Sequence, residues 1–137
     1  MTDCQQSAGE ATCVADDARG RILISTVEHW DTWKQTVDKD GSKKTILLQL
    51  GAEWCQHCEP VGFEIAKKLS DYQFHSLYTD ASDSELFEHF NCTKLPAVVF
   101  YRPGDDKDTV IQSVRVNTVT DHIRDHCDPK LVLDTDF

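Results

Sequence analysis

Residues 51 to 60 read GAEWCQHCEP and carry the most informative pattern in the chain. Cys55 and Cys58 stand there with two residues between them, behind a tryptophan, at the point where an apolar run stops. That spacing suits either a reversible disulfide or half of a metal site. The neighbouring residues must distinguish the two.

The sequence on either side of the pair predicts a strand before it and a helix after it. TILLQL, residues 45–50, is a β-rich apolar run with the length of a buried central strand. Beyond the pair, apolar residues recur every four positions on one helical face, at Val61, Ile65 and Leu69. A helix beginning at this motif places Cys55 at its N-terminus, where unpaired N–H groups and the helix dipole favour a thiolate. Cys58, one turn further in and more shielded, is suited to closing a disulfide with Cys55.

The remaining sequence alternates between strand and helix patterns. RILIS is typical of a short strand, and Ser25 and Glu28 stand at capping-box spacing for a helix that buries Trp30, Trp33 and Val37. Later patterns predict, in order, a strand at QFHSLYTDA, a short helix at SDSELFEHFN, strands at AVVFY and TVIQSVRV, and a helix at TVTDHIRDHC. The order βαβαβαββα predicts an α/β fold with a central mixed sheet of about five strands flanked by about four helices.

Length and charge limit the possible functions. The 137 residues predict one domain at 21–137, preceded by a flexible arm at 1–20 that is small, polar and acidic. A net charge of −10 disfavours nucleic acids and anionic membrane surfaces as partners. The acidic start lacks the features of a secretory signal, and no apolar run is long enough to span a membrane. We therefore expect an intracellular protein of the cytosol or mitochondrion.

Four further cysteines lack a close, motif-like spacing. Cys4 and Cys13 lie in the predicted arm, where the simplest interpretation is a pair of exposed, passive thiols. Cys92 and Cys127 fall in apolar patterns and are predicted to be small core residues.

Two segments together resemble the thioredoxin superfamily. ILLQLGAEWCQHC is similar to the active-site strand and motif of that family, and TKLPAVVFY to its cis-proline loop and following strand. Pro96 lies 38 positions beyond Cys58, about the interval that the family uses. The resemblance spans roughly residues 21–127 and implies a thioredoxin fold.

The resemblance also implies a mechanism. Cys55 would attack a partner's disulfide, and Cys58 would resolve the resulting mixed disulfide, so the redox-active pair itself replaces any cofactor or metal. Trp54 would shield the sulfurs, and Leu95, before a cis Pro96, would hydrogen-bond an extended substrate segment. The implied partners are proteins containing disulfides and an upstream reductase or low-molecular-weight dithiol, acting on a monomer.

Several positions depart from the family and bear on how the thiolate is tuned. Gln56 and His57 replace the usual Gly-Pro, and a protonated His57 would stabilise the Cys55 thiolate and make the disulfide more oxidising. Gln49 stands where the family commonly has a buried aspartate, and Ser76 where its lysine partner would align, which predicts a neutral pair in place of an ion pair. Gly51 stands where the family usually has an aromatic residue, Phe63 where a proline is common, and Val116 or Asn117 replaces a family glycine in the substrate groove. These departures favour a restricted partner set.

Three functions remain open at the level of sequence. A disulfide reductase is favoured because no export signal is visible. A thiol oxidase or isomerase is favoured by His57. A non-enzymatic module would bind zinc or an iron–sulfur cluster through Cys55 and Cys58, although no second CxxC completes a four-ligand site.

Overall fold

The computed structural model describes residues 21–41, 44–105 and 107–129. The elements in these segments are β1 (Ile22–Leu23), α1 (Val27–Lys39), β2 (Thr45–Gly51), α2 (Cys58–Lys68), β3 (Tyr72–Asp80), α3 (Leu86–His89), β4 (Ala97–Tyr101), β5 (Thr109–Ile111), α4 (Val116–His126) and β6 (Asp128–Pro129), with a 3-10 turn at Ala81–Asp83. The predicted α/β class and element order are confirmed, and the two-residue β6 is an addition. The arm predicted at 1–20, with Cys4 and Cys13, lies outside the described residues.

The sheet is mixed, with strand order β1-β3-β2-β4-β5. The short β6 pairs antiparallel with the first two residues of β3, Tyr72 and Gln73. β2 runs parallel to β3 and antiparallel to β4, so it is the central strand, and every one of its residues is buried. This agrees with its apolar sequence, since a strand covered on both faces shows no polar alternation. The carboxyl end of β2 leads directly to the cysteine pair.

Two apolar cores cover the two faces of the sheet. One packs around Trp30 of α1 and the other around Ile65 of α2 and Ile123 of α4. Because side chains alternate along a strand, Leu47 of β2 points into the second core, and Gln49, two residues on, shares that face. A polar side chain with no exposed surface is thereby directed at the start of α2.

The predicted element ends were wrong at the start of α1 and between β5 and α4. The N-cap of α1 is Thr26, whose Oγ1 accepts from the N–H of His29 at 3.0 Å, and the capping box predicted at Ser25 and Glu28 was wrong by one residue. β5 ends at Ile111 and α4 begins at Val116, inside the predicted strand TVIQSVRV. The chain turns there because Ser113 has a positive φ of 59° and the Val114 N–H bonds to the Pro96 carbonyl at 2.8 Å.

Candidate active site

Cys55 and Cys58 are joined by a disulfide, with their Cα atoms 5.4 Å apart. The Cys55 N–H donates to Ala52 O, and the Cys58 N–H donates to Cys55 O, each at 3.1 Å, which fixes the turn between β2 and α2. Cys58 is the first residue of α2, so the sequence placed the helix start three residues too early. The predicted difference in shielding is confirmed, since Cys58 is 4% exposed and Cys55 is partly exposed.

One cleft beside the disulfide contains the predicted proline loop. It encloses about 450 Å³ between His57, Leu95, Pro96 and the start of α4, where Val116 is exposed. The Leu95–Pro96 peptide is cis, as predicted. His57 and Gln56 are both exposed in the turn before α2, and Trp54 is 74% exposed. These side chains therefore face solvent around the disulfide.

The proline loop is fastened to the end of β5 by one side chain. Gln112 Oε1 accepts from the backbone N–H groups of Thr93 at 2.8 Å and Lys94 at 2.9 Å. Together with the bond from Val114 N–H to Pro96 O, this ties two walls of the cleft to each other. The sequence offered no signal for this role of Gln112.

A second cleft shares no lining residue with the first. It encloses about 290 Å³ and is polar, with both cysteines in its wall and side chains from four segments around them: Arg21, Ala52, Glu53, Glu59, Tyr78 and Asp80. Three carboxylates and one guanidinium therefore border the redox pair. No sequence pattern had marked this cleft.

The neutral pair predicted for Gln49 and Ser76 is wrong. Gln49 accepts a 2.7 Å hydrogen bond at Oε1 from Arg21 NH1 and donates a 2.9 Å bond from Nε2 to the Cys58 carbonyl. Ser76 pairs with Leu47 in the sheet, two residues before the level of Gln49, and its buried Oγ has no hydrogen-bond partner in the part of the chain that the structure describes. A buried glutamine amide requires partners, and here a cation supplies one of them.

Arg21 is fixed on a second side by an aromatic ring. Its guanidinium carbon lies 3.8 Å from the centroid of Tyr78, and Arg21 is only 5% exposed. The ring occupies the space beside Gly51, because a Cβ there would lie 2.9 Å from both Cε1 and the hydroxyl oxygen of Tyr78. The family usually has an aromatic residue at the position of Gly51. In this chain the ring of Tyr78, from β3, lies against Gly51 instead.

The two other described cysteines differ in burial. Cys127 is 5% exposed, as predicted for a core residue, and burial raises the pKa of its thiol to about 12, with a further contribution from Asp128. Cys92 is only half-buried at the edge of the first core; burial raises the pKa of its thiol, and a hydrogen bond to the Lys94 carbonyl opposes that rise. Neither thiol has a disulfide partner among the described residues.

Comparison with known proteins places this geometry in a family. The family model described as Thioredoxin matches residues 24–125. The chain belongs to the thioredoxin family. Thioredoxin H3 of Arabidopsis thaliana is 29% identical over 72% of this chain and 84% of its own length. Thioredoxin H8 of the same plant is 32% identical over 64% of this chain and 62% of its own.

Solved structures agree on the fold. Plasmodium falciparum thioredoxin superposes with a TM-score of 0.63 at 17% identity, covering 90% of this chain and all of that one. Fasciola hepatica thioredoxin gives a TM-score of 0.60 at 16% identity, covering 76% of this chain and 97% of its own. Family membership and the CxxC pair support thiol–disulfide oxidoreductase activity in the broad sense.

Neither a membrane-spanning helix nor a metal-binding cluster is found among the described residues. Within residues 21–41, 44–105 and 107–129, no helix has the length and apolarity needed to cross a bilayer. Over the same residues, no cluster of three or more His, Cys, Asp or Glu side chains is arranged to hold a metal ion.

Proposed function

We propose that this protein is a protein-disulfide reductase in which Cys55 is the nucleophile and Cys58 the resolving thiol. The observation that carries the proposal is the asymmetry of the pair: Cys55 is partly exposed, whereas Cys58 is 4% exposed at the first turn of α2. A bulky protein disulfide can reach only the exposed sulfur. The buried sulfur then meets only the mixed disulfide that Cys55 has formed.

The exchange proceeds in two steps that balance. The Cys55 thiolate attacks one sulfur of the partner's disulfide, which forms the mixed disulfide and releases the first partner thiolate. Cys58 then loses its proton and attacks Cys55 Sγ, which forms the internal disulfide and releases the second partner thiolate. The two partner thiolates take up two protons. An upstream reductase or low-molecular-weight dithiol returns two electrons and two protons to Cys55 and Cys58.

The cleft that holds Pro96 supplies the binding surface in this proposal. Leu95, at its wall, would offer backbone groups to an extended segment of the partner, and Trp54 would contact the partner from the exposed turn. The anchoring of this loop by Gln112 supports the role, because a fixed backbone loses less entropy when it binds.

Cysteine variants test the two roles directly. In Cys58→Ser, a disulfide substrate should become trapped on Cys55 and resist release, whereas Cys55→Ser should trap nothing and show no turnover. Cys92→Ser is the matched control and should behave as wild type. Peptide mapping of the trapped species by mass spectrometry identifies the sulfur involved. Trapping on Cys58, or equal trapping by both variants, would contradict the assignment.

His57 favours a second candidate, a thiol oxidase or isomerase. Its exposed side chain lies between the two cysteines in sequence and borders the cleft at Pro96, where a positive charge would stabilise the reduced pair. The equilibrium with glutathione redox buffers distinguishes the candidates. A potential near −270 mV, as in thioredoxin, supports the reductase, and one near −120 mV supports the oxidase.

A further inference from the structure

The cleft lined by Arg21 contains a buried cation that the exchange chemistry described above does not use. Arg21 is 5% exposed, and its NH1 lies 2.7 Å from Gln49 Oε1, while Gln49 Nε2 lies 2.9 Å from the carbonyl oxygen of Cys58. Arg21 also borders the same cleft as Cys58. Guanidinium groups remain protonated in proteins, so a permanent positive charge lines the cleft that contains the resolving cysteine.

We propose that Arg21 is a positioning residue that stabilises the Cys58 thiolate during resolution of the mixed disulfide. The inference rests on the proposed reductase mechanism, in which Cys58 must lose its proton to attack Cys55. Gln49 cannot accept that proton, because a neutral amide is not basic near neutral pH. The guanidinium of Arg21 aids deprotonation differently. It lowers the free energy of the Cys58 thiolate, and water accepts the proton of the thiol.

The position of Arg21 is fixed before the reaction begins. Gln49 holds one edge of the guanidinium and the Tyr78 ring covers its face at 3.8 Å, in the space that Gly51 leaves open. Charge that is already oriented stabilises a developing anion without a reorganisation cost. The same hydrogen bonds tie Arg21 to the first residue of α2, so its position follows that of Cys58.

Other charges around Cys58 oppose Arg21 with less weight. Glu53 and Glu59 are exposed, so water and salt screen them more than the buried guanidinium. Asp80 is half-buried, but its carboxylate accepts bonds from the Tyr78 hydroxyl and from the Ser82 N–H and hydroxyl, which spread its charge. The exposed His57 lines the other cleft. Among the described residues that line this cleft, Arg21 is therefore the charge that acts through the least water.

The test measures the thiol of Cys58 by itself. In a Cys55→Ser background, the pH dependence of iodoacetamide alkylation, followed on the Cys58 peptide by mass spectrometry, gives its pKa. Arg21→Met should raise that pKa by about one unit, and Arg21→Lys, which keeps the charge, should raise it less. In the protein with both cysteines, Arg21→Met should slow release of the mixed disulfide about tenfold at pH 7, because the thiolate fraction falls tenfold per unit.

Controls separate charge from structure. Arg124→Met removes an exposed arginine that pairs with Asp121 on α4, and should change neither quantity. If Arg21→Met does not fold, Arg21→Gln removes the charge but keeps an N–H donor for Gln49 Oε1, and should raise the Cys58 pKa in the same way. An unchanged pKa in a folded Arg21→Met or Arg21→Gln variant overturns the proposal, as does an equal rise in Arg21→Lys and Arg21→Met.

The measurement of the Cys58 pKa can contradict the role of Arg21 without contradicting the proposed function. The pKa of Cys58 is an equilibrium property and is measured without turnover. A wild-type protein that traps and reduces no disulfide would refute the reductase proposal, whereas normal turnover with a Cys58 pKa insensitive to Arg21 would refute only the present inference.

Discussion

At the scale of the residue, the described thiols differ in how far their surroundings suppress ionisation. At pH 8 a thiol whose pKa is about 12, like that of Cys127, is ionised in roughly one molecule in ten thousand, and only the thiolate is the nucleophile. We predict that iodoacetamide leaves Cys127 unmodified in the folded, reduced protein while Cys55 reacts fast and the half-buried Cys92 reacts slowly. Peptide-resolved mass spectrometry over time checks the order. Labelling of Cys127 as fast as Cys92 would show that its side chain is accessible.

Short motifs could be predicted from the sequence, whereas a contact between distant segments could not. Cys55, Cys58 and Pro96 were found because each belongs to a short motif whose spacing is set by local geometry. Arg21 was missed because its contact with Gln49 spans 28 residues and depends on how β1 pairs with β3. A buried glutamine in an apolar strand signals that some partner exists, but it does not name that partner.

At the level of secondary-structure elements, Gln112 at the end of β5 holds the proline loop, and we expect this contact to affect substrate binding. Gln112→Ala removes the acceptor for two backbone N–H groups, so the loop that presents Leu95 becomes less fixed. Under the proposed function, KM for a protein disulfide should rise severalfold with kcat little changed, and stability should fall by about 1–2 kcal/mol. Steady-state kinetics and urea unfolding provide the two measurements.

Two variants sharpen that test. Gln112→Glu keeps an acceptor oxygen and should restore most of the affinity. Gln73→Ala removes a glutamine whose Nε2 bonds to the Pro129 carbonyl at the other end of the sheet, and should leave KM unchanged. A fall in kcat with constant KM for Gln112→Ala would instead place the residue in the chemical step.

Elements were predicted well wherever periodicity was strong and poorly at their ends. AVVFY was assigned correctly because five consecutive buried residues leave little ambiguity. The boundary between β5 and α4 was misplaced because the alternation in TVIQSVRV continues through Ser113, while the backbone there turns at a positive φ to reach Pro96. Tertiary hydrogen bonds of this kind leave no periodic trace in a sequence.

At the scale of the whole molecule, one half-buried histidine links stability to pH. Burial lowers the pKa of His75 from its ordinary value, Lys44 lowers it further, and Asp40 opposes them. The unfolded chain therefore binds a proton at His75 before the folded protein does, as pH falls through the ordinary value of about 6.5. Stability contributed by neutral His75 is present above that pH and is lost as pH drops toward the depressed pKa of the folded protein.

Urea unfolding at pH 7.5 and at pH 5.5 measures this linkage for the whole chain. We predict that His75→Gln, which cannot take up a proton, loses less stability than wild type between the two pH values. His89→Gln, which replaces an exposed histidine of α3, is the matched control and should follow wild type. His75 also packs against the Trp33 ring at 5.2 Å, so its replacement should lower stability at both pH values. The packing loss affects the free energy of unfolding at both pH values, so the change in that free energy between pH 7.5 and pH 5.5 reports protonation alone. An identical change in wild type and His75→Gln would show that His75 does not contribute to the loss of stability at low pH.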